Sequence, residues 1–142
     1  MKAEKYRFVY PIQVRYADTD AQGHVYFSNY LLYFDEAHTA YLREIGFPWT
    51  KLVEMGLESY QVSAHCDFKG SAFFEEMLHV HTQIARIGNS SYTVECAIYK
   101  KDSEELIASG YITAVVVNPE NRQPTRVPAE IREAVAAYEG QP

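Results

Sequence analysis

The sequence predicts an α+β fold in which an antiparallel sheet packs against one long helix. Apolar residues recur at spacings of three and four over residues 27–45, which is the period of an amphipathic helix. After Gly56 the pattern changes to the alternation of apolar and polar residues that is typical of strands. Short turn signals such as Gly88-Asn89 separate the alternating segments. Consecutive strands are therefore expected to pair antiparallel, without helical crossovers.

The N-terminal part of the chain contains the predicted first strand and two helices. The strand covers about residues 6–16, and Pro11 favours an edge position because proline donates no ladder hydrogen bond. The long helix ends at Gly46, which suits a left-handed cap, and Pro48 prevents its continuation. A short second helix is predicted over residues 49–55.

Four strands and a terminal helix are predicted in the remainder of the chain. The alternating segments cover about residues 60–68, 78–87, 91–100 and 106–117, and residues 128–138 favour a short helix. Because the strands follow one another with short connections, they are expected to form an antiparallel meander. We therefore predict five strands and a single domain that spans residues 1–142.

The dimensions of these elements predict a curved sheet and an oligomer. The long helix measures about 28 Å, which matches the length of a ten-residue strand. Five strands span about 24 Å, whereas one helix is about 10–12 Å thick. The sheet must therefore curl around the helix, or a second chain must cover the rest. The opposite sheet face also carries apolar or aromatic residues: Tyr99, Tyr111, Val115 and Val117. We therefore expect a homo-oligomer that covers this face.

Composition excludes several classes of protein. The formal net charge of −6 argues against nucleic acid as a partner, and no apolar run approaches the roughly 20 residues of a membrane helix. The N-terminus does not resemble a signal peptide, so a cytoplasmic location is expected. His79 and His81 share a strand face but lack a third aligned ligand, so neither a metal nor another cofactor is expected. Nucleophile-elbow, Walker and dinucleotide motifs are absent.

The segment from Arg15 to Tyr30 carries the strongest chemical signal. Asp18 and Asp20 precede the long helix, whose first N–H groups have no intrahelical partner and favour negative charge. A carbonyl placed there would be polarised, and a neighbouring carboxylate could activate water or attack it directly. Such a site suits a thioester, which is an activated acyl group. The alternative is that both acids are ordinary residues of a helix N-terminal turn.

The sequence resembles a known family in this segment. The motif Asp18-Thr-Asp-Ala-Gln-Gly-His-Val-Tyr-Phe-Ser-Asn-Tyr30, followed by Tyr33-Phe-Asp-Glu-Ala37, is similar to hotdog-fold acyl-CoA thioesterases of the 4-hydroxybenzoyl-CoA thioesterase type. The resemblance implies a long helix wrapped by a curved five-stranded antiparallel sheet. It also implies dimers, often paired into tetramers, with active sites at the dimer interface.

The resemblance assigns catalytic roles within this motif. Asp20 matches the catalytic carboxylate, as general base or nucleophile, and Asp18 is the less favoured base. The backbone N–H of Phe27 matches the amide that polarises the thioester carbonyl. Several bacterial relatives carry histidine at that position, so only the amide role transfers to this chain. Tyr16 matches an aromatic position near the site.

A second region of resemblance concerns the nucleotide of coenzyme A. The stretch Arg86-Ile-Gly-Asn-Ser-Ser91 is similar to the family's turn near that nucleotide. Arg86 is the candidate phosphate ligand, and Asn89, Ser90 and Ser91 are candidate hydrogen-bond donors.

These observations together predict an acyl-CoA thioesterase, which releases a free carboxylic acid and coenzyme A. Its expected partners are the acyl-CoA substrate and further copies of the same chain. Two alternatives remain open at this point: a thioesterase acting on acyl-carrier protein, and a non-catalytic acyl-binding hotdog protein. Turnover measured on matched acyl-CoA and acyl-carrier substrates distinguishes the three.

Overall fold

The computed structural model describes residues 5–140 and contains six strands and three helices within that range. The strands are β1 (Phe8–Gln13), β2 (Glu58–Phe68), β3 (Met77–Ile87), β4 (Ser91–Lys100), β5 (Leu106–Asn118) and the short β6 (Gln123–Pro124). The helices are α1 (Asn29–Glu44), α2 (Trp49–Glu54) and α3 (Ala129–Glu139). No helix in the described part of the chain is long and apolar enough to cross a membrane.

The five long strands form one antiparallel sheet in the order β1-β3-β4-β5-β2, with β6 added beside β5. β1 is an edge strand, as Pro11 predicts. The prediction of a continuous meander is wrong at β2, which pairs with β5 instead of β3. The two sides of β3 are occupied by β1 and β4, so residues 69–76 carry the chain across the sheet from β2 to β3. Strand periodicity alone contains no information about which neighbour a strand chooses.

Helix α1 lies in the concave face of the sheet and provides the centre of the core. Its buried side chains pack mainly against β3 and β1. Tyr33, Phe34 and Tyr41 are fully buried, and Leu78 and Val80 of β3 meet them from the sheet. The sheet curls around this one helix, so the predicted α+β hotdog architecture is confirmed.

Two predicted boundaries shift near the start of α1. The helix begins at Asn29 rather than at residue 27, because Phe27 and Ser28 form a turn in which the Asn29 N–H donates to the Tyr26 carbonyl (2.8 Å). β1 ends at Gln13, and Tyr16 lies in a separate 3-10 turn over Tyr16–Asp18. These differences leave a loop of fifteen residues, 14–28, between β1 and α1. That loop contains the predicted catalytic motif.

Candidate active site

The loop that enters α1 folds back on itself as a narrow hairpin. Thr19 and Val25 form an isolated antiparallel bridge, and the Asp20 N–H donates to the His24 carbonyl (3.0 Å). The tip closes through the Gly23 N–H, which donates to the Asp20 carbonyl (2.9 Å). Gly23 has φ +88°, a left-handed conformation that favours glycine. This hairpin fixes Asp20 on one arm and directs the other arm into α1.

Asp18 is a structural residue of this hairpin. Its carboxylate is only 3% exposed and accepts hydrogen bonds from the Arg15 N–H (3.0 Å), the Arg15 guanidinium (2.8 and 3.3 Å) and the Tyr33 hydroxyl (2.9 Å). Burial by itself would raise the pKa of this carboxyl, but the bonds from Arg15 and Tyr33 outweigh it and lower the pKa. The Asp18 carboxylate therefore anchors the 3-10 turn and has little accepting capacity left for a substrate.

Asp20 has a different environment, although it lies only two residues away. Its side chain is half-buried, and Oδ1 accepts a hydrogen bond from the Gln22 N–H (2.9 Å). Within residues 5–140, nothing donates a hydrogen bond to Oδ2. Burial raises the pKa of the Tyr30 phenol, and the charge of Asp20 contributes to the same rise. The Asp20 carboxylate thus lies within electrostatic range of Tyr30, in the first turn of α1, and keeps one oxygen free.

The turn that starts α1 presents unsatisfied amides. Neither the Phe27 nor the Ser28 N–H donates to any acceptor in the described part of the chain. The Asn29 side chain donates to the Asp18 carbonyl (2.9 Å), which ties this turn to the hairpin. Free amides at a helix N-terminus attract negative charge. The Phe27 residue at this turn is 58% exposed.

Exposed aromatic side chains surround the start of α1. Phe27 packs edge-on against Phe68 of β2 (5.9 Å between ring centroids), and Tyr16, 78% exposed, packs edge-on against Phe74 (5.9 Å). A surface of this kind on a single chain is typical of a ligand or subunit contact. We call the following set the aromatic patch: Tyr16, Tyr26, Phe27, Phe68, Phe73 and Phe74.

The predicted nucleotide turn lies at the other end of the sheet. The β3 end at Met77 is next to the helix-entry loop, where the Val14 N–H donates to the Glu76 carbonyl (2.9 Å). Arg86 and the turn to Ser91 follow at the far end of this eleven-residue strand, about 33 Å away by strand geometry. Asn89, Ser90 and Ser91 share that turn with Arg86. Within one chain, the structure does not bring these residues to Asp20 and Phe27.

The structure also contains a cavity that was not among the sequence-based predictions. It measures about 300 Å³ and lies between α1, α2 and β2. His38 of α1 lines it, and its Nε2 is 3.2 Å from the Tyr92 hydroxyl, which is 3.2 Å from the Ser59 hydroxyl. Burial lowers the pKa of His38 to about 4. A histidine on the apolar stripe of a predicted helix is the signal that would have pointed to it.

Residues 5–140 contain no group of three or more His, Cys, Asp or Glu side chains arranged to hold a metal ion. His79 and His81 lie on the outer sheet face with ring centroids 6.5 Å apart. The Tyr99 ring packs edge-on against His81 (5.1 Å). These two histidines are therefore part of an aromatic cluster on the sheet.

Comparison with known proteins identifies the family. The sequence profile of the thioesterase-like superfamily matches residues 14–135, which include the helix-entry hairpin and every strand except β1. The chain belongs to this superfamily. The prediction of a thioester-hydrolysing enzyme is thereby confirmed.

Individual relatives are similar over most of their length. An acyl-CoA thioesterase YbgC from Haemophilus influenzae is 27% identical over 128 residues, which is 89% of this chain and 93% of the relative. A 1,4-dihydroxy-2-naphthoyl-CoA hydrolase from Gloeothece citriformis is 32% identical over 122 residues, covering 84% and 85%. The crystal structure of a 1,4-dihydroxy-2-naphthoyl-CoA thioesterase from Synechocystis superposes with a TM-score of 0.85 at 25% identity, covering 91% and 95%.

Proposed function

We propose that this thioesterase-superfamily chain hydrolyses acyl-CoA to a free carboxylic acid and coenzyme A. The observation that carries the proposal is one hairpin holding both a carboxylate with a free oxygen and a helix start with two free amides. Asp20 supplies the carboxylate, and Phe27 and Ser28 supply the amides. The relatives described above are named for action on CoA thioesters, and the superfamily profile covers this hairpin. The resemblance of its motif supports a site of the 4-hydroxybenzoyl-CoA thioesterase type.

The chemistry follows from these groups. Asp20, as general base, takes a proton from water while the water oxygen bonds to the thioester carbon. The carbonyl oxygen becomes an oxyanion, which accepts hydrogen bonds from the Phe27 amide and its neighbour and is stabilised by the N-terminus of α1. Collapse of this intermediate breaks the carbon–sulfur bond, and the departing thiolate takes up the proton. As nucleophile, Asp20 would instead form an anhydride that water then cleaves.

We infer that the active form is a homodimer. The family resemblance implies that two such dimers pair into a tetramer. β2 is an edge strand whose residues are exposed along nearly all of its length, so its free N–H and C=O groups are open to pairing. Phe68 at the end of β2 belongs to the aromatic patch, so a subunit placed along β2 would also cover part of that patch. In such a dimer, the nucleotide turn that serves one Asp20 would come from the other subunit.

The test is the variant Asp20→Asn, assayed by the release of free thiol across a panel of acyl-CoA substrates. Loss of a general base lowers the rate by about 10²–10⁴-fold. Asp102→Asn, in the exposed turn after β4, is the matched control and is expected to keep wild-type turnover. Undiminished turnover by folded Asp20→Asn would reject the assignment.

Two further measurements separate the remaining alternatives. Faster turnover of matched acyl-carrier protein than of acyl-CoA would identify a carrier-protein thioesterase, and binding without turnover would identify an acyl-binding protein. A single turnover in ¹⁸O-labelled water, with the Asp20 carboxyl analysed for label, tests the nucleophilic role of Asp20. A general base places the label in the product acid, whereas a nucleophile regenerated by attack at its own carbonyl keeps the label in Asp20.

A further inference from the structure

We propose that Arg132 of α3 is a positioning residue, which shapes the turn after β3 into a binding site for the phosphates of the coenzyme A nucleotide. The inference rests on the proposed function, because it concerns the nucleotide part of the same substrate. Arg132 lies in the predicted C-terminal helix, outside the motifs that the sequence indicates. Its side chain lies behind the turn and does not project from it.

Arg132 holds three backbone carbonyls with one guanidinium group. Its Nη2 donates to the Gly88 carbonyl (2.6 Å) and the Asn89 carbonyl (3.0 Å), and its Nε donates to the Val127 carbonyl (3.1 Å). The planar, fixed fork of an arginine is suited to several acceptors at once, whereas lysine offers a single point charge. Arg132 therefore connects α3 to the β3–β4 turn and orients two carbonyl groups of that turn, those of Gly88 and Asn89.

The remaining backbone bonds of the turn have the same effect. The Asn89 carbonyl also accepts from the Val127 N–H (2.8 Å), and the Ser90 carbonyl accepts from the Val116 N–H (2.8 Å). All three turn carbonyls, from Gly88 to Ser90, are thus drawn towards the protein. The Asn89 and Ser90 N–H groups have no acceptor anywhere in residues 5–140. Successive free amides with their carbonyls turned away form a concave site for an anion.

Cationic side chains surround these free amides. Arg86 leads into the turn and is exposed, and Arg126 donates from Nη1 to the Asn89 side-chain oxygen (2.9 Å). Within the described range, neither of them nor Arg132 forms an ion pair with a carboxylate. Three unpaired arginines give the turn a positive field in a chain with a net charge of −6. Phosphate groups are the anions that this combination of amides and guanidinium groups fits.

The experiment compares two thioesters of the same acyl group, one on coenzyme A and one on pantetheine, which lacks the nucleotide. For Arg132→Met, the KM for acyl-CoA is expected to rise about tenfold with little change in kcat, the signature of lost ground-state binding. The kinetic constants for acyl-pantetheine are expected to stay at wild-type values. The control is Arg43→Met, at the exposed C-terminal end of α1, which should leave both substrates unaffected. Equal losses on both substrates would indicate a merely structural role and would overturn the proposal.

A binding measurement tests the proposal independently of turnover. Calorimetric titration with coenzyme A itself should show about tenfold weaker binding for Arg132→Met than for the wild type. Arg132→Lys keeps the positive charge but loses the planar set of N–H donors, and it replaces the methionine variant if that variant does not fold. It should also weaken binding. Unchanged affinity in the folded variant, or a wild type that binds no coenzyme A, overturns the inference. Absence of thioester hydrolysis with the expected binding loss would overturn only the proposed function.

Discussion

His38 makes the stability of this protein depend on pH in a window that can be calculated. Its side chain is 6% exposed, and burial lowers its pKa from 6.5 to about 4. Well above pH 6.5 the imidazole is neutral in both the folded and unfolded chain, so it contributes no pH dependence there. Between pH 6.5 and 4 the unfolded chain binds a proton that the folded chain excludes. The free energy of unfolding therefore falls as the pH falls through this window.

The size of the effect follows from the same two pKa values. At pH 5 the unfolded imidazole is almost fully protonated and the folded one is mostly neutral, which lowers the free energy of unfolding by about 2 kcal/mol. At pH 4 the loss reaches about 3 kcal/mol. Because Tyr92 donates or accepts at the only hydrogen-bonded nitrogen of His38 in the described structure, glutamine is a suitable uncharged replacement.

The assay is urea unfolding of the wild type and His38→Gln at several pH values and one protein concentration. The difference between the two isolates His38 from the carboxylates, which titrate in both proteins. The variant is expected to be less stable than the wild type at pH 7. Between pH 7 and pH 5, the free energy of unfolding of the wild type should fall by about 2 kcal/mol relative to that of the variant. His65→Gln, on the exposed outer face of the sheet, is the control and should follow the wild type. A parallel pH dependence of wild type and His38→Gln would refute the reasoning.

Two further predictions concern the stability of the hairpin and of the sheet. Asp18→Asn replaces a buried acceptor of four hydrogen bonds and should lower the free energy of unfolding, measured in urea, by about 3 kcal/mol. If this variant is as stable as the control Asp102→Asn, the structural role assigned to Asp18 is wrong. Gly110→Ala places a methyl group against the His65 carbonyl, which disturbs the pairing of β2 with β5, and should lower the melting temperature. The control Ser109→Ala should not lower it, and equal melting temperatures of the two variants would contradict the close strand contact.

Local features of the fold were predictable because they depend on short-range periodicity. The apolar spacing of three and four identified α1 to within two residues at its start and one at its end, and the strand-like residues between two turn signals identified β4 with its observed bounds. Pro11 indicated the edge position of β1 because its missing N–H is a property of the residue itself. Comparing the widths of one helix and five strands left two solutions, a curved sheet or a second chain covering the rest, and the structure shows the curved sheet.

Parts of the candidate site could not be predicted in the same way. The residue pattern by itself does not separate Asp18 from Asp20, although the family resemblance favours Asp20. Only the folded hairpin surrounds the first with Arg15 and Tyr33 and leaves the second with a free oxygen. Arg132 is 44 residues from Gly88 and 43 from Asn89, whose carbonyls it binds, so no local sequence pattern connects it to the turn. The position of the nucleotide turn, at the end of β3 that is far from the helix-entry loop, likewise depends on how the strands pair in the complete sheet.

The amino-acid sequence alone determined the elements, the helix-entry motif and the chemistry that a carboxylate beside a helix start can perform. The tertiary structure decided that β2 pairs with β5, that the Asp18 carboxylate is fully engaged, and that His38 lies beside a cavity. The physical reason is the range of the interactions. Periodicity and capping act over a few residues, whereas strand order, burial and hydrogen-bond partners depend on contacts between distant parts of the chain.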